Sequence, residues 1–175
     1  MGEREVSLSE LISSVAQPVL DLLPQVHARP ASNEWGVADS WLGGVRTFKG
    51  PYLHIPATTH VEIYPRCEVP IDTGLQTLTT ADSKTVAVNA TTILSVSDPI
   101  LLRSVAGSEW QEYASMRIRG IVCEIIAGHK WSQSIHQAAE FIAFDASSEL
   151  LECGIEVHQV VLEDASETIP LRIFQ

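Results

Sequence analysis

The chain has 175 residues, a formal net charge of −11 and a 45% hydrophobic composition. That length suits one domain of ordinary size with a small appendage, and the apolar share is enough for a real core. The acidic balance excludes binding to nucleic-acid phosphates and unaided docking on anionic lipid, both of which need a basic face.

The opening MGEREVSLSELISS is acidic and has no apolar central region, so it does not read as a secretory signal. Val6 stands where a myristoylation signal would want Ser or Thr. In residues 8–26, Leu8, Leu11, Ile12, Val15, Val19, Leu22, Leu23 and Val26 recur at helical spacing. Pro18 should kink this helix and Pro24 should end it. Its polar face carries Glu10 and Asp21 but no Lys or Arg, so docking on protein is expected rather than on lipid. HARPASNEW, residues 27–35, reads as a linker. The chain is therefore expected to divide into residues 1–35, an amphipathic helix with its linker, and residues 36–175, one folded domain.

From 36 to 77 the pattern is short strands and turns. Pieces of strand flank Gly50-Pro51, and Val61, Ile63, Val69 and Ile71 look like apolar anchors. Pro65 and Pro70 confine their strands to edges or break them. TADSK, residues 80–84, is turn chemistry. From Thr85 the chain alternates, with Val86, Val88, Ala90, Thr92, Leu94 and Val96 on one face, which predicts a long strand with one buried side.

Asp98 and Pro99 predict a helix start, and Gly107 its stop. Ser108 with Gln111 has the spacing of a capping box. The next helix buries Trp110, Tyr113, Ala114, Ile118, Ile121, Val122 and Ile125 and ends at Gly128. Another runs over roughly 133–152, with Ile135, Ala138, Ala139, Ile142, Ala143, Ala146 and Leu150 inward, and ends at Gly154. IEVHQVVLED, residues 155–164, is a final strand. Strands, a long strand, helices and a returning strand predict an α+β fold: an antiparallel strand-rich part followed by helices packed on a sheet.

No chemistry assembles from these residues. The glycines and lysine of GGVRTFKG lack phosphate-loop spacing, and no G-x-S-x-G elbow occurs. Cys67, Cys123 and Cys153 are odd in number and lack CxxC spacing, so reduced, mostly buried thiols are expected, with Cys123 and Cys153 in the core. His136 and Glu140 could share a helix face, but His27, His54, His60, His129 and His158 supply no convergent partners in sequence. Asn89-Ala90-Thr91 is a chance glycosylation sequon. Trp35 and Trp41 are candidate interface anchors, while Trp110 and Trp131 suit core or helix-junction packing. No catalytic, cofactor-binding or metal-ligating residue is assigned.

The order of features resembles the SPFH domain, also called band 7 or PHB, of stomatins, prohibitins and flotillins. LGGVRTFKGPYLHIP (42–56), THVEIYPRCEVPI (59–71), LTTADSKTVAVNATTILSVSDP (78–99) and GIEVHQVVLEDASETIP (154–170) are each similar to a family segment and occur in the family's order. Gly50-Pro51-Tyr52 stands in place of the family's Pro-Gly turn, where a tyrosine would carry a cost at positive φ. The resemblance implies an SPFH-type domain over residues 36–172 with no catalysis and no cofactor of its own. It implies a scaffold or adaptor that self-associates into a homo-oligomer and organises a membrane-linked partner such as a protease. The expected location is the cytoplasm, peripheral to a membrane through that partner, with no transmembrane span and no nucleic acid. Two other readings stay open: a small-molecule binding domain with polar groups converging near His54, His60 or His158, and a subunit of a protein shell.

Overall fold

A computed structural model describes residues 27–41, 43–131 and 135–167. The amphipathic stretch 8–26 lies outside the described residues. The chain forms two compact units that divide in sequence between Tyr64 and Pro65. The fold is α+β with antiparallel sheets, and three helices occur among the described residues.

In the first unit, β1 (His27–Ala28) pairs with β4 (Tyr52–Leu53), so residues read as linker join a small ladder. β2 (Glu34–Ser40) runs between β3 (Gly44–Phe48) and β5 (Thr59–Pro65). Val37 and Ala38 are buried. Gly36 faces Phe48 across the β2–β3 ladder, and a Cβ there would strike the Phe48 ring at 2.2 Å. Two expectations fail here. Ile63 is not an anchor: it is exposed, while its neighbour Tyr64 is buried and donates its hydroxyl hydrogen bond to Glu62. An aromatic ring with a polar tip can fill the core and still satisfy its oxygen at the rim. Tyr52 bears no positive-φ cost, since it lies in β4 and stacks on Phe48 with ring centroids 4.5 Å apart.

The second unit is built on β8 (Thr85–Val96). β9 (Ile155–Glu167) pairs along its full length. The other edge of β8 is shared by β6 (Val69–Asp72) and β7 (Gln76–Thr79), which lie end to end. Between them Thr73 breaks the ladder: its amide and hydroxyl both donate to the Ala90 carbonyl, at 2.9 Å each, and Gly74 follows at φ +69°. Arg119 of the second helix donates to the freed Thr73 carbonyl. Along β8, Val86, Val88, Ala90, Thr92, Leu94 and Val96 are all buried, as the alternation predicts.

Asp98 opens α1 (Pro99–Val105) by accepting from the amides of Ile100 and Leu101 at 3.0 and 3.1 Å. A single 3₁₀ turn, Gly107–Glu109, leads into α2 (Trp110–Gly128). That turn corrects the capping-box expectation. Ser108 already lies inside helical backbone, and no side chain caps α2. The buried stripe of α2 is Trp110, Ala114, Ile118, Ile121, Val122, Ile125 and Ile126. Cys123 falls on the opposite side of the helix and is exposed, as is Cys67; Cys153 is buried, so the mostly buried thiols of the sequence reading are corrected. α3 (Ile135–Leu151) buries Ile142, Ala146 and Leu150. α2 packs on α3, β6 and β7, and α3 packs along β9, so both helices cover the apolar side of the sheet.

Two connections hold this arrangement. The first is the turn before β8. Asp82 accepts from the Thr80 hydroxyl at 2.6 Å and from the Trp131 amide at 3.1 Å, while the Ala81 amide donates to the His129 carbonyl. The Thr80 hydrogen bond, then that of Trp131, holds the Asp82 carboxyl below its ordinary value of 3.8. The second is Gly154. It closes α3 at φ +79°, and its carbonyl accepts from Ser97 and Asp98. A Cβ at Gly154 would lie 2.3 Å from the Asp98 carbonyl oxygen.

Val88→Asp is expected to abolish folding, because it buries an unpaired carboxylate at a fully buried position, and the cost of an isolated buried charge is on the order of the whole stability of a small domain, about 5–15 kcal/mol. On the same face, Thr92→Val should stabilise by about 1 kcal/mol, since the buried Thr92 hydroxyl oxygen has no partner. Urea denaturation of both variants checks the pair, and a soluble, cooperatively folded Val88→Asp chain would place that face wrongly. Gly154→Ala should cost about 3 kcal/mol through strain at positive φ and contact with Asp98. For Asp82, a depressed folded-state pKa means its contribution is present above the unfolded value and is lost as pH falls through the folded one. The stability gap between wild type and Asp82→Asn should therefore be open at about pH 6 and shrink by about pH 3 in matched urea titrations. A gap that widened with acid would contradict the assigned hydrogen bonds.

Candidate functional site

The polar convergence in the first unit lies where β4 gives way to a turn. The Ile55 carbonyl accepts from the amides of Thr58 and Thr59, both at 2.9 Å, and this reversal brings His54 and His60 onto one open cleft of about 490 Å³. Arg29, which follows β1, and Thr59 complete its polar lining. Tyr52 and His54 are two residues apart, and their rings lie nearly parallel with centroids 6.4 Å apart, which continues the stack that starts at Phe48. His54 Nδ1 is buried and has no partner. His60 Nε2 lies 3.0 Å from Glu62 Oε1, and Glu62 also accepts from Tyr64, so one carboxylate orients both side chains. A second shallow cleft shares Pro56, Thr59 and His60 with the first and adds Asp39 and Trp41.

His158 belongs to the second unit, on β9, where its Nε2 and Ser95 share a hydrogen bond at 2.7 Å. His129 bonds the Ile125 carbonyl at 2.7 Å through Nδ1 and stacks on Phe141. The side chains of His27 and His136 lie outside the described residues. Among the described residues no three His, Cys, Asp or Glu side chains cluster as metal ligands would. Cys153 shares a hydrogen bond with the Tyr113 hydroxyl at 3.3 Å, which together with burial raises the tyrosine above its ordinary value of 10.0.

Large apolar side chains stand uncovered in both units. In the first, Trp41 is 86% exposed and Leu53 75%, with Ile55 and Val45 also open. Trp35 differs from Trp41: it is half-buried beneath the Lys49 ammonium, 4.3 Å from the ring centroid. In the second, Phe144 is 73% exposed, and Phe141, Leu151, Met116 and Leu75 are open as well. Trp110 is buried and Trp131 half-buried after α2, as their sequence positions suggest.

His54 and His60 stand out in the sequence as candidate site residues, whereas Arg29 and Thr59 do not. Arg29 reaches the cleft only through the β1–β4 pairing, which has no periodic signal. The open side of α3 was also missed, although its spacing is legible.

The chain matches no protein-family model and no curated protein. No helix among the described residues is long and apolar enough to cross a membrane.

Proposed function

We propose that the protein is a non-enzymatic assembly or adaptor domain of SPFH type, which self-associates and organises a membrane-linked protein partner. The observation that carries this reading is the amount of large apolar surface left open in each unit, from Trp41 and Leu53 to Phe144 and Leu151. Association would cover such side chains, and contiguous apolar patches are a mark of interaction sites. The long strand, the Asp98-capped helix and the returning strand follow the order of features that the resemblance rests on. With no matching family model, that resemblance stands on the motifs themselves. Peripheral attachment to a membrane would then come from the partner.

Sedimentation velocity across a concentration series tests this reading. The expected result is a mass above the 19.1 kDa of one chain that grows with concentration or closes at a fixed number. A chain that stays monomeric and captures no protein from solubilised membranes would overturn it.

A second reading, a small-anion binding domain, is favoured by one feature: the unpartnered His54 Nδ1 beside Arg29 and His60 in a single cleft. Inorganic phosphate is the simplest probe. On this reading it should raise the melting temperature, as any ligand selective for the folded state does, and both His54→Gln and Arg29→Gln should remove the shift. An equal shift in the variants would assign it to bulk salt.

A further inference from the structure

The outward side of α3 carries a second periodic pattern. Its inward residues, Ile142, Ala146 and Leu150, are buried against the unit's own core. Gln137, Phe141, Phe144, Ser148 and Leu151 follow one another at alternating intervals of four and three residues, and all five are exposed. Such spacing keeps one seam of a helix facing a partner helix over its whole length. Phe141, Phe144 and Leu151 supply the apolar contacts of that seam.

The charges that α3 itself places beside the seam are of one sign, and Arg117 of α2 is already paired with Glu149, 2.7 Å away. Glu140, Asp145 and Glu152 flank the seam, and α3 contains no Lys or Arg. A second copy would bring these carboxylates against their own kind, in a chain that already carries a formal charge of −11. Anionic lipid is disfavoured for the same reason. A helix with an apolar seam between rows of Lys and Arg is complementary on both counts.

We propose that the open side of α3 is a docking surface for a basic amphipathic helix of a partner protein, seated on Phe141, Phe144 and Leu151 and flanked by Glu140, Asp145 and Glu152. This deepens the assembly reading by naming the surface and the chemistry of the partner. The partner helix needs about 14–18 residues to follow the seam, because each residue rises about 1.5 Å. The aromatic pair is the anchor, and the carboxylates set the choice of partner and the encounter rate.

The test uses the full chain and a fluorescent peptide of about 18 residues, with Leu on its seam and Lys on both flanks. Two control peptides are needed: a scrambled one of equal composition and one with Glu on the flanks. Saturable binding by the Lys peptide alone is expected in anisotropy at about 150 mM salt. Phe144→Gln should weaken it by about ten-fold or more with the melting temperature unchanged, because that ring is exposed; Phe141→Gln should weaken it likewise while also losing the stack on His129. Asp145→Lys should weaken the Lys peptide and strengthen the Glu peptide, a reversal that general loss of structure would not produce. Equal binding of the scrambled peptide, no effect of the phenylalanine changes, or no saturable binding up to about 100 µM would each overturn the proposal. So would a dimer dissociated by Phe144→Gln, which would give the face to a second copy while leaving the assembly reading intact. Failure of the peptide with wild-type self-association intact removes this docking surface and not the broader function.

Discussion

The second unit depends on a backbone contact between two chain junctions. Val96 ends β8 and Ile155 begins β9, and these two residues pair across the ladder although all three helices lie between them in sequence. The contact that closes this long excursion is the Gly154 carbonyl, which receives the amides of Ser97 and Asp98. The same Asp98 caps α1 with its carboxylate, and the same Gly154 turns the chain out of α3. Two helix ends and two strand ends therefore share a few atoms, and only a residue without Cβ fits the left-handed conformation so close to Asp98. Bringing ends so far apart in sequence together costs loop entropy. The reward is a β8 that is paired on both edges, and hence a sheet that the helices can cover.

The turn before β8 acts in the same way at the other end of the strand. Asp82 is a half-buried turn residue, and it receives the Trp131 amide just after α2, while Ala81 bonds the His129 carbonyl. α2 is thus tied to the start of β8 by its C-terminal end, and to the β6–β7 break by Arg119. Lys84 and Glu167, 3.0 Å apart, join the first residues after that turn to the end of β9. Such an exposed pair adds little energy by itself, but it closes the ladder at its open end.

What could be read in the sequence was what repeats. Six buried residues at alternate positions of β8 and the stripe of α2 were legible, because solvent exclusion acts with the period of the backbone. Asp98-Pro99, Gly107, Gly128 and Gly154 marked helix boundaries, since caps and left-handed turns restrict residue type. Exceptions to a period were not legible. Cys123 is as apolar as its buried neighbours, and only its angular place on α2 exposes it. Ile63 outranks Tyr64 in hydropathy, yet the tyrosine fills the core. The cleft at His54 was legible only in half, because Arg29 comes to it from another strand. The outward seam of α3 was concealed by its own clarity. Once Ile142, Ala146 and Leu150 explain the helix, further apolar residues read as surplus core.

The two faces of the sheet show where association surfaces can lie. β9 has one more residue than β8 at two places, Glu163 and His158. At each, the extra residue turns a polar side chain towards β8: Glu163 accepts from Thr91 at 2.8 Å and from Asn89 at 3.3 Å, and His158 bonds Ser95. The side of the sheet away from the helices thereby carries cross-strand polar contacts between β8 and β9. A bulge also bends and twists its strand, which makes the edge of β9 a poor template for adding another strand. The inner face is covered by α2 and α3, and on the outer face these polar contacts lie among a few apolar side chains such as Ile93 and Val161. The most exposed aromatic side chain of this unit is Phe144, on the outward side of α3, and that of the other unit is Trp41; an association surface in either unit has these rings to bury.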